Sequence, residues 1–265
     1  MISDNIPPGI RAHGLGVFGA FTIMSYAVGP SIGEFVAGSF GFDVFFIYAS
    51  LFSLVAMALA LFAQDGQFVK SDGGSPMDFF HLIGAQRYRL ILFTNLIIAC
   101  GLGSVLHFFS VFLRSNSFNA SAFFLTYSIT VITIRMFGSK VSDMFNKKLV
   151  AVPSMLLMSL SLIFVFTIDS LYKAVLLSFL FSFGYGFLYP TISAIVIDRA
   201  SASERGKAMG AFNGSFSLGI NYIAFPLGII AKYWGFSVMY VIVGMLVLAG
   251  TLIYAAFENG SEEET

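Results

Sequence analysis

The stretch RAHGLGVFGAFTIMSYAVGPSIGEF, residues 11–35, is apolar enough to cross a bilayer, yet it contains five glycines and one proline. Both residue types disfavour the interior of a helix in water. In a membrane, small residues let neighbouring backbones approach closely, and other helices can satisfy the backbone groups that a proline frees. The stretch therefore predicts a spanning helix in a close helix–helix seam, which could be a fixed contact or a moving one.

The composition indicates that the rest of the chain is also membrane-embedded. Of its 265 residues, 57% are hydrophobic and only 11% are charged, whereas ordinary soluble domains carry about 25% charged residues. Fourteen basic and fourteen acidic side chains leave no net charge, so nothing indicates a nucleic-acid partner. The single cysteine, Cys100, excludes a disulfide framework and a metal site built from several cysteines.

Apolar runs of about 20 residues predict the spanning helices. Eight such runs predict an all-α polytopic membrane protein, with spans at 12–36, 42–63, 89–113, 118–138, 149–168, 172–197, 206–231 and 236–257. Residues 1–63 form a two-span unit, 64–88 a cytoplasmic central loop with a short interfacial helix, 89–257 a six-helix bundle, and 258–265 an acidic tail. The short helix could be a lipid-binding anchor or a plain connector.

The distribution of lysine and arginine predicts the orientation. With the N-terminus inside, the outer ends hold only three basic residues, Arg114, Lys173 and Lys232. The inner segments hold eleven, namely Arg11, Lys70, Arg87, Arg89, Arg135, Lys140, Lys147, Lys148, Arg199, Arg205 and Lys207. Both termini are therefore predicted to be cytoplasmic, in a bacterial inner or plasma membrane, and the acidic tail is predicted to be disordered.

A weak internal repeat supports a two-bundle architecture. Shifting the chain by 194 residues places 11–42 on 205–236 and gives six identities in 32 pairs. The identities are Arg11 with Arg205, Gly16 with Gly210, Phe18 with Phe212, Ala37 with Ala231, and Gly41–Phe42 with Gly235–Phe236. Each copy starts at a basic residue that is predicted to lie on the cytoplasmic side, crosses the membrane once and turns at a Gly-Phe pair. Parallel repeats of this kind are typical of transporters built from two similar halves.

Three motifs resemble the major facilitator superfamily. SYAVGPSIG, residues 25–33, is similar to that family's fifth-helix Gly-Pro motif, associated with proton-coupled efflux antiporters, through Gly29, Pro30 and Gly33. Ser25 and Glu34 stand where the family usually has glycine. GYGFLYPTISAIVIDRASASERGKAMGAFN, residues 184–213, resembles the passage from the tenth to the eleventh helix.

The third motif, RMFGSKVSDMFNKK at residues 135–148, resembles the family's cytoplasmic gating loop. The matching residues are Arg135, Asp143, Lys147 and Lys148, while Ser139 and Asn146 replace two glycines. The resemblance implies an ion pair at the inner face that breaks when the two halves rock. A charge cluster that only fixes topology is the alternative. Arg11 and Arg205, at the basic starts of the repeat, belong with these conformational candidates.

The resemblance covers almost the whole chain but only the last eight of twelve family helices. About four further spans are therefore expected to precede residue 1. On this view the chain is most of a secondary transporter, which works by alternating access. A truncated or obligately paired membrane protein is the alternative, and this chain alone is then expected to show no coupled transport. The missing helices or another chain would be needed for activity.

Polar residues inside the predicted spans are candidates for contact with a solute, because such residues usually face a bundle interior. Ser178, Ser182, Tyr185 and Tyr189 share one helix face, and tyrosine offers a ring and a hydroxyl to an amphiphilic organic solute. An interhelical hydrogen-bond seam is the alternative. Further candidates on another helix are Asn95, Cys100, Ser104 and His107, of which the last three share a face.

His107 is also a candidate proton carrier, because histidine titrates near neutral pH; a packed hydrogen-bonding role is the alternative. The sequence contains no paired catalytic carboxylates within a span, no His/Cys metal spacing and no phosphate loop, so neither an enzyme nor a nucleotide-driven pump is predicted. No cofactor is expected, and an ion gradient, of protons, would supply the energy. Proton-coupled efflux of a small organic solute is the leading prediction, and symport of a sugar or metabolite is the rival.

Overall fold

The computed structural model describes residues 32–33, 36, 39–62, 83–118, 120–138, 145–201 and 204–258. The regular structure in these residues is helical, without a strand. The helices are α1 Phe42–Phe62, α2 Gln86–Ser115, α3 Ser121–Thr133, α4 Lys147–Ile163, α5 Leu171–Asp198, α6 Arg205–Tyr222 and α7 Ala224–Phe257. Helix α3 continues as a π-helix, Ile134–Gly138, and α4 continues as a 3₁₀ turn, Phe164–Thr167.

The prediction of eight spanning helices is not matched. The described residues contain six candidate spans, at Phe42–Phe62, Gln86–Ser115, Ser121–Gly138, Lys147–Thr167, Leu171–Asp198 and Arg205–Phe257. Most of the predicted run 12–36 lies outside the described residues. The predicted runs 206–231 and 236–257 both fall in the one candidate span Arg205–Phe257, because α7, Ala224–Phe257, continues across the boundary between them.

Gly235 divides the last candidate span. At 53 residues and about 1.5 Å per residue, a straight helix would be more than twice as long as the roughly 30 Å hydrocarbon core is thick. Gly235 breaks it with φ 85° and ψ 163°, a conformation open to glycine but strained for other residues. Gly41, its partner in the predicted repeat, also has φ 85° and directly precedes α1. The two glycines therefore share the same turn chemistry.

Six of the helices pack together around one core. Helix α5 packs against α3 and α4, α4 against α7, α7 against α2, and α2 against α6, which returns to touch α5. Buried aromatic rings fill one end of this bundle, where Phe109 stacks on Phe123 with ring centroids 3.9 Å apart. Helix α1 is different: it buries none of its side chains and packs on none of the other described helices.

Glycines set the closest approaches between helices. A Cβ atom built on Gly219 of α6 would lie 2.4 Å from the Leu96 carbonyl oxygen of α2, and one on Gly103 of α2 would lie 2.5 Å from the Ile220 carbonyl oxygen of α6. Between α5 and α4, the same construction at Gly184 meets the Ser154 carbonyl oxygen at 2.4 Å. Real Cβ contacts are not this short, so these crossings require glycine.

The predicted connecting segments are described only in part. The predicted central loop 64–88 is described from residue 83 onward, and its last residues already belong to α2. Most of the predicted interfacial helix therefore lies outside the described residues. Of the predicted acidic tail, only Glu258 is described, and it differs from the expected disorder because its side chain is buried against Arg199.

Candidate functional site

The structure brings together residues that the sequence assigned to two different roles. Arg135, predicted to act in gating, is buried with 3% of its surface exposed. The central carbon of its guanidinium group lies 4.9 Å from the ring centroid of Tyr189 and 5.6 Å from that of Tyr185. Its Nη2 donates to the Tyr185 hydroxyl at 3.5 Å. This arrangement of one cation and two rings is a cation–π site in a membrane-spanning bundle.

The π-helix at the end of α3 positions Arg135 against α5. Its residues pack on glycines: a Cβ atom on Gly186 would lie 3.0 Å from the Ile134 Cβ atom, and one on Gly138 would lie 2.9 Å from the Phe187 ring. Because both positions lack a side chain, the end of α3 lies directly on α5. Short π-helical segments occur frequently at functional sites.

Two further rings pack on Tyr185, and a hydrogen bond connects the site to a third helix, α6. Tyr127 and Phe181 stack on Tyr185, with centroid separations of 6.3 and 6.4 Å and interplanar angles of 20° and 18°. The Tyr189 hydroxyl donates to the Asn213 Oδ1 atom of α6 at 3.4 Å. We call Tyr127, Arg135, Tyr185, Tyr189 and Asn213 the arginine–tyrosine cluster. Tyr185 is buried, Tyr189 half-buried and Asn213 exposed, so the cluster opens toward α6.

The two serines of the predicted stripe donate hydrogen bonds to backbone carbonyl oxygens of the protein itself. The Ser182 hydroxyl donates to the Ser178 carbonyl oxygen at 2.6 Å, and the Ser178 hydroxyl donates to the Phe123 carbonyl oxygen at 2.7 Å. Both side chains are fully buried. The predicted stripe is therefore divided: its tyrosines line the arginine–tyrosine cluster, and its serines bond to backbone.

The predicted candidates on α2 do not join the cluster. Cys100 and Ser104 are buried, and the Ser104 hydroxyl donates to the Gly101 carbonyl oxygen at 2.7 Å. His107 is exposed, beside the Phe108 ring. Asn95 is buried and its Nδ2 donates to the Phe212 carbonyl oxygen and the Ser215 Oγ atom, both at 2.8 Å. Asn95 thus connects α2 to α6.

We expect Asn95→Ala to lower the free energy of unfolding by about 1 kcal/mol, the upper part of the range for interhelical hydrogen bonds in membranes. The variant loses both bonds to α6. Ser215→Ala is the matched control, since it removes one acceptor and leaves the bond to the Phe212 carbonyl. Ser215→Ala should therefore lower the free energy of unfolding by less than Asn95→Ala does. Chemical denaturation in mixed micelles measures both, and equal stabilities of Asn95→Ala and the parent would contradict the prediction.

A second polar group lies at one end of the bundle and contains two of the predicted gating residues. Lys147 pairs with Asp198 at 2.5 Å, and Lys148 Nζ donates to the Glu258 carbonyl oxygen at 2.7 Å. Asp143, which the resemblance places with these lysines, lies outside the described residues, as do Arg11, Gly29 and Pro30. Gly33 is described and lies against the Phe45 ring. Arg205 is the first residue of α6.

The same end contains ion pairs that the sequence did not predict. Arg199 pairs with Glu258, and Arg199 Nη1 also donates to the Arg87 carbonyl oxygen at 2.7 Å. Arg87 in turn pairs with Glu204 at 2.8 Å. We call this group the charged belt; its members are Arg87, Lys147, Lys148, Asp198, Arg199, Glu204 and Glu258. It connects the ends of α2, α4, α5 and α7 to the residue that precedes α6.

The two glutamates of the charged belt have opposite pKa shifts. A hydrogen bond from the Ser201 hydroxyl, with help from Arg87, lowers the pKa of Glu204. Burial raises the pKa of Glu258, although Arg199 and Lys148 act in the other direction. Glu204 therefore lies in a solvated environment that favours its charge, whereas Glu258 depends on its partners to remain ionised.

The signals for the charged belt are present in the sequence but do not specify the pairing. Asp198, Arg199 and Glu204 lie in the quoted motif 184–213, yet their partners Lys147, Glu258 and Arg87 are 51 to 117 residues away. In the described part of the chain, no group of three or more His, Cys, Asp or Glu residues could hold a metal ion.

Comparison with known protein families shows a match over the length of the chain. A family model described as Major Facilitator Superfamily matches residues 1–219 and, in a second placement, residues 91–265. Together the two placements include every residue of the chain. A search of curated protein sequences found no match.

Proposed function

Because the chain belongs to the major facilitator superfamily and is therefore an integral membrane transporter, we propose that it exports a small organic solute by alternating access in exchange for protons. We further propose that residues 89–257 form a six-helix bundle and residues 1–63 contribute two helices of another bundle, with both termini in the cytoplasm. The two overlapping family matches are compatible with this division, since families with similar halves can match in two placements.

The observation that carries the proposal is the arginine–tyrosine cluster. An ionisable side chain within a membrane span is costly to place there and usually marks a path for a solute or ion. Arg135 is buried in the last turn of the candidate span Ser121–Gly138, near its predicted cytoplasmic end, and lies against two tyrosine rings. Ring faces, hydroxyl groups and a guanidinium group suit an amphiphilic organic solute with an aromatic or acidic part.

The charged belt supports the alternating-access part of the proposal. Its ion pairs and hydrogen bonds join the ends of five helices, so the bundle can move as one body against a second one. In such a scheme the arginine–tyrosine cluster opens and closes through the relative position of the bundles rather than through movement of its own rings. Gly29, Pro30 and Gly33 are proposed to lie in the seam between bundles.

His107 is our proposed proton carrier. It lies within the candidate span Gln86–Ser115 and its side chain is exposed on the bundle surface. A proton carrier must reach water in at least one state of the transport cycle, so the proposal requires that the surface around His107 faces a water-filled space between the two bundles. No contact described in the structure joins His107 to the arginine–tyrosine cluster, so coupling would act through the movement of the bundle.

Flux measurements in vesicles containing the full-length protein test the proposed function. A panel of labelled organic cations, anions and neutral amphiphiles is loaded, and a pH gradient is imposed. We expect at least one solute to move against its gradient, and a protonophore to abolish that movement. Movement of the solute in the same direction as the protons would instead favour symport. A solute flux that is independent of the pH gradient would contradict proton coupling.

Tyr185→Ala should change the range of transported solutes while leaving membrane insertion intact. The variant removes the ring that faces Arg135 and stacks on Tyr127. Tyr185→Phe is the matched control, because it keeps the ring and removes only the hydroxyl, and should retain most of the parent's range. The same flux panel measures the range, and the yield in the membrane fraction measures insertion. An unchanged range in Tyr185→Ala would assign Tyr185 to packing alone.

A further inference from the structure

A groove of about 660 Å³ lies between the first turn of α2 and the end of α7. Its polar side is lined by three arginines, Arg87, Arg89 and Arg199, together with Gln86 and Glu258. Leu90, Phe93 and Phe257 line its apolar side. The groove lies beside the charged belt, at the end of the bundle that is cytoplasmic in the predicted orientation, and is separate from the arginine–tyrosine cluster.

Only one of the three arginines has an uncommitted charge. Arg87 pairs with Glu204, and Arg199 pairs with Glu258. Arg89 is exposed and has no ion pair or side-chain hydrogen bond with any residue that the structure describes. Three guanidinium groups against two carboxylates leave the region with one positive charge. That balance complements a ligand with a single negative charge.

The apolar side of the groove is open. Phe93 follows Arg89 by one helical turn, on the same face of α2, and 47% of its surface is exposed. Phe257, at the end of α7, is 72% exposed. In the predicted orientation Phe93 lies on the membrane side of Arg89, which is the order of acyl chain and headgroup in a phospholipid monolayer.

We propose that this groove binds an anionic phospholipid, with its phosphate against Arg89 and an acyl chain against Phe93 and Phe257. Basic pockets between spanning helices at the cytoplasmic face are suited to anionic headgroups. A water-soluble anion would leave the aromatic side of the groove exposed, and a zwitterionic lipid would add no net charge to complement Arg89. The inference does not depend on which solute the protein transports.

Tryptophan fluorescence tests the proposal. Trp234 is the chain's single tryptophan, and it lies beside Gly235, at the opposite end of the bundle from the groove. The reporter variant combines Phe93→Trp with Trp234→Phe in the full chain, reconstituted in vesicles with brominated phosphatidylglycerol or brominated phosphatidylcholine. We expect the anionic lipid to associate about fivefold more strongly at residue 93, the factor typical of one basic residue near anionic lipid.

Charge and reporter controls make the outcome specific. Arg89→Gln should abolish the preference, and Arg89→Lys, which keeps the charge, should retain it. If the Phe93→Trp protein does not fold, Phe257→Trp in the same Trp234→Phe background reports from the other side of the groove.

Two results would overturn the proposal. Equal quenching by the two lipids at residue 93, or a preference that persists in Arg89→Gln, would show that Arg89 does not select an anionic lipid. A preference that emerges only after deletion of residues 259–265 would show that the acidic end of the chain, with its three consecutive glutamates, occupies the groove instead.

Discussion

Glu258→Gln should lower the free energy of unfolding by about 3–5 kcal/mol, the usual cost of removing one partner from a buried ion pair. The side chains of Arg199 and Glu258 are only 16% and 6% exposed, so the variant leaves the Arg199 guanidinium with little water and no opposite charge. The remaining bond from Arg199 to the Arg87 carbonyl oxygen does not neutralise it. Chemical denaturation in mixed micelles measures the loss.

Two further variants separate the charge effect from a general effect of mutation. Asp169→Asn breaks the exposed pair with Lys173, whose side chains are 70% and 43% exposed, and should leave stability almost unchanged because solvent screens such pairs. The double variant Arg199→Met, Glu258→Met should recover much of the loss, since a buried pair can be replaced by apolar side chains. A parent-like stability of Glu258→Gln would show that the pair contributes nothing.

Gly219→Ala should destabilise the bundle by about 1–3 kcal/mol, the usual range for overpacking. The added Cβ atom would lie 2.4 Å from the Leu96 carbonyl oxygen and 2.6 Å from the Ala99 Cβ atom, so α6 and α2 must move apart. Neither obstacle can rotate away, because one is backbone and the other is the first side-chain atom.

Gly214→Ala is the matched control for Gly219→Ala on the same helix. A Cβ atom at Gly214 meets no other atom within 4 Å, and alanine is intrinsically a better helix former by about 1 kcal/mol. This variant should therefore be neutral or slightly stabilising. Equal effects of the two substitutions would mean that the α2–α6 contact is looser than the structure describes.

Hydropathy predicts the middle of the chain well. The predicted runs 89–113, 149–168 and 172–197 correspond to the candidate spans Gln86–Ser115, Lys147–Thr167 and Leu171–Asp198, each within three residues. The bilayer fixes the length of an apolar helix, so composition alone locates such a span. Composition does not show whether two neighbouring runs belong to one continuous helix. The predicted runs 206–231 and 236–257 fall in the one candidate span Arg205–Phe257, and the backbone of Gly235 breaks that span at the predicted boundary.

The sequence predicts only the part of the candidate site in which residues share one face of a single helix, because the helical period determines that face. The spacing of Tyr185 and Tyr189 predicts a shared face, and both tyrosines do line the arginine–tyrosine cluster. The contact with Arg135 could not be predicted, because it depends on a π-helix and on two glycines that let α3 approach α5. The charged belt was also missed, since ion pairs between residues far apart in sequence require the packing of whole helices.

The turn at Gly235 leaves the chain no spare length between the first part of α7 and the part that follows the turn. Since a helix rotates by about 100° per residue, one inserted residue at this corner must either bulge outward or turn the following helix by that angle. Such a turn would move Tyr240, Val243 and Val247, all fully or almost fully buried, away from the core. Natural variation in length is therefore expected to be excluded at this corner.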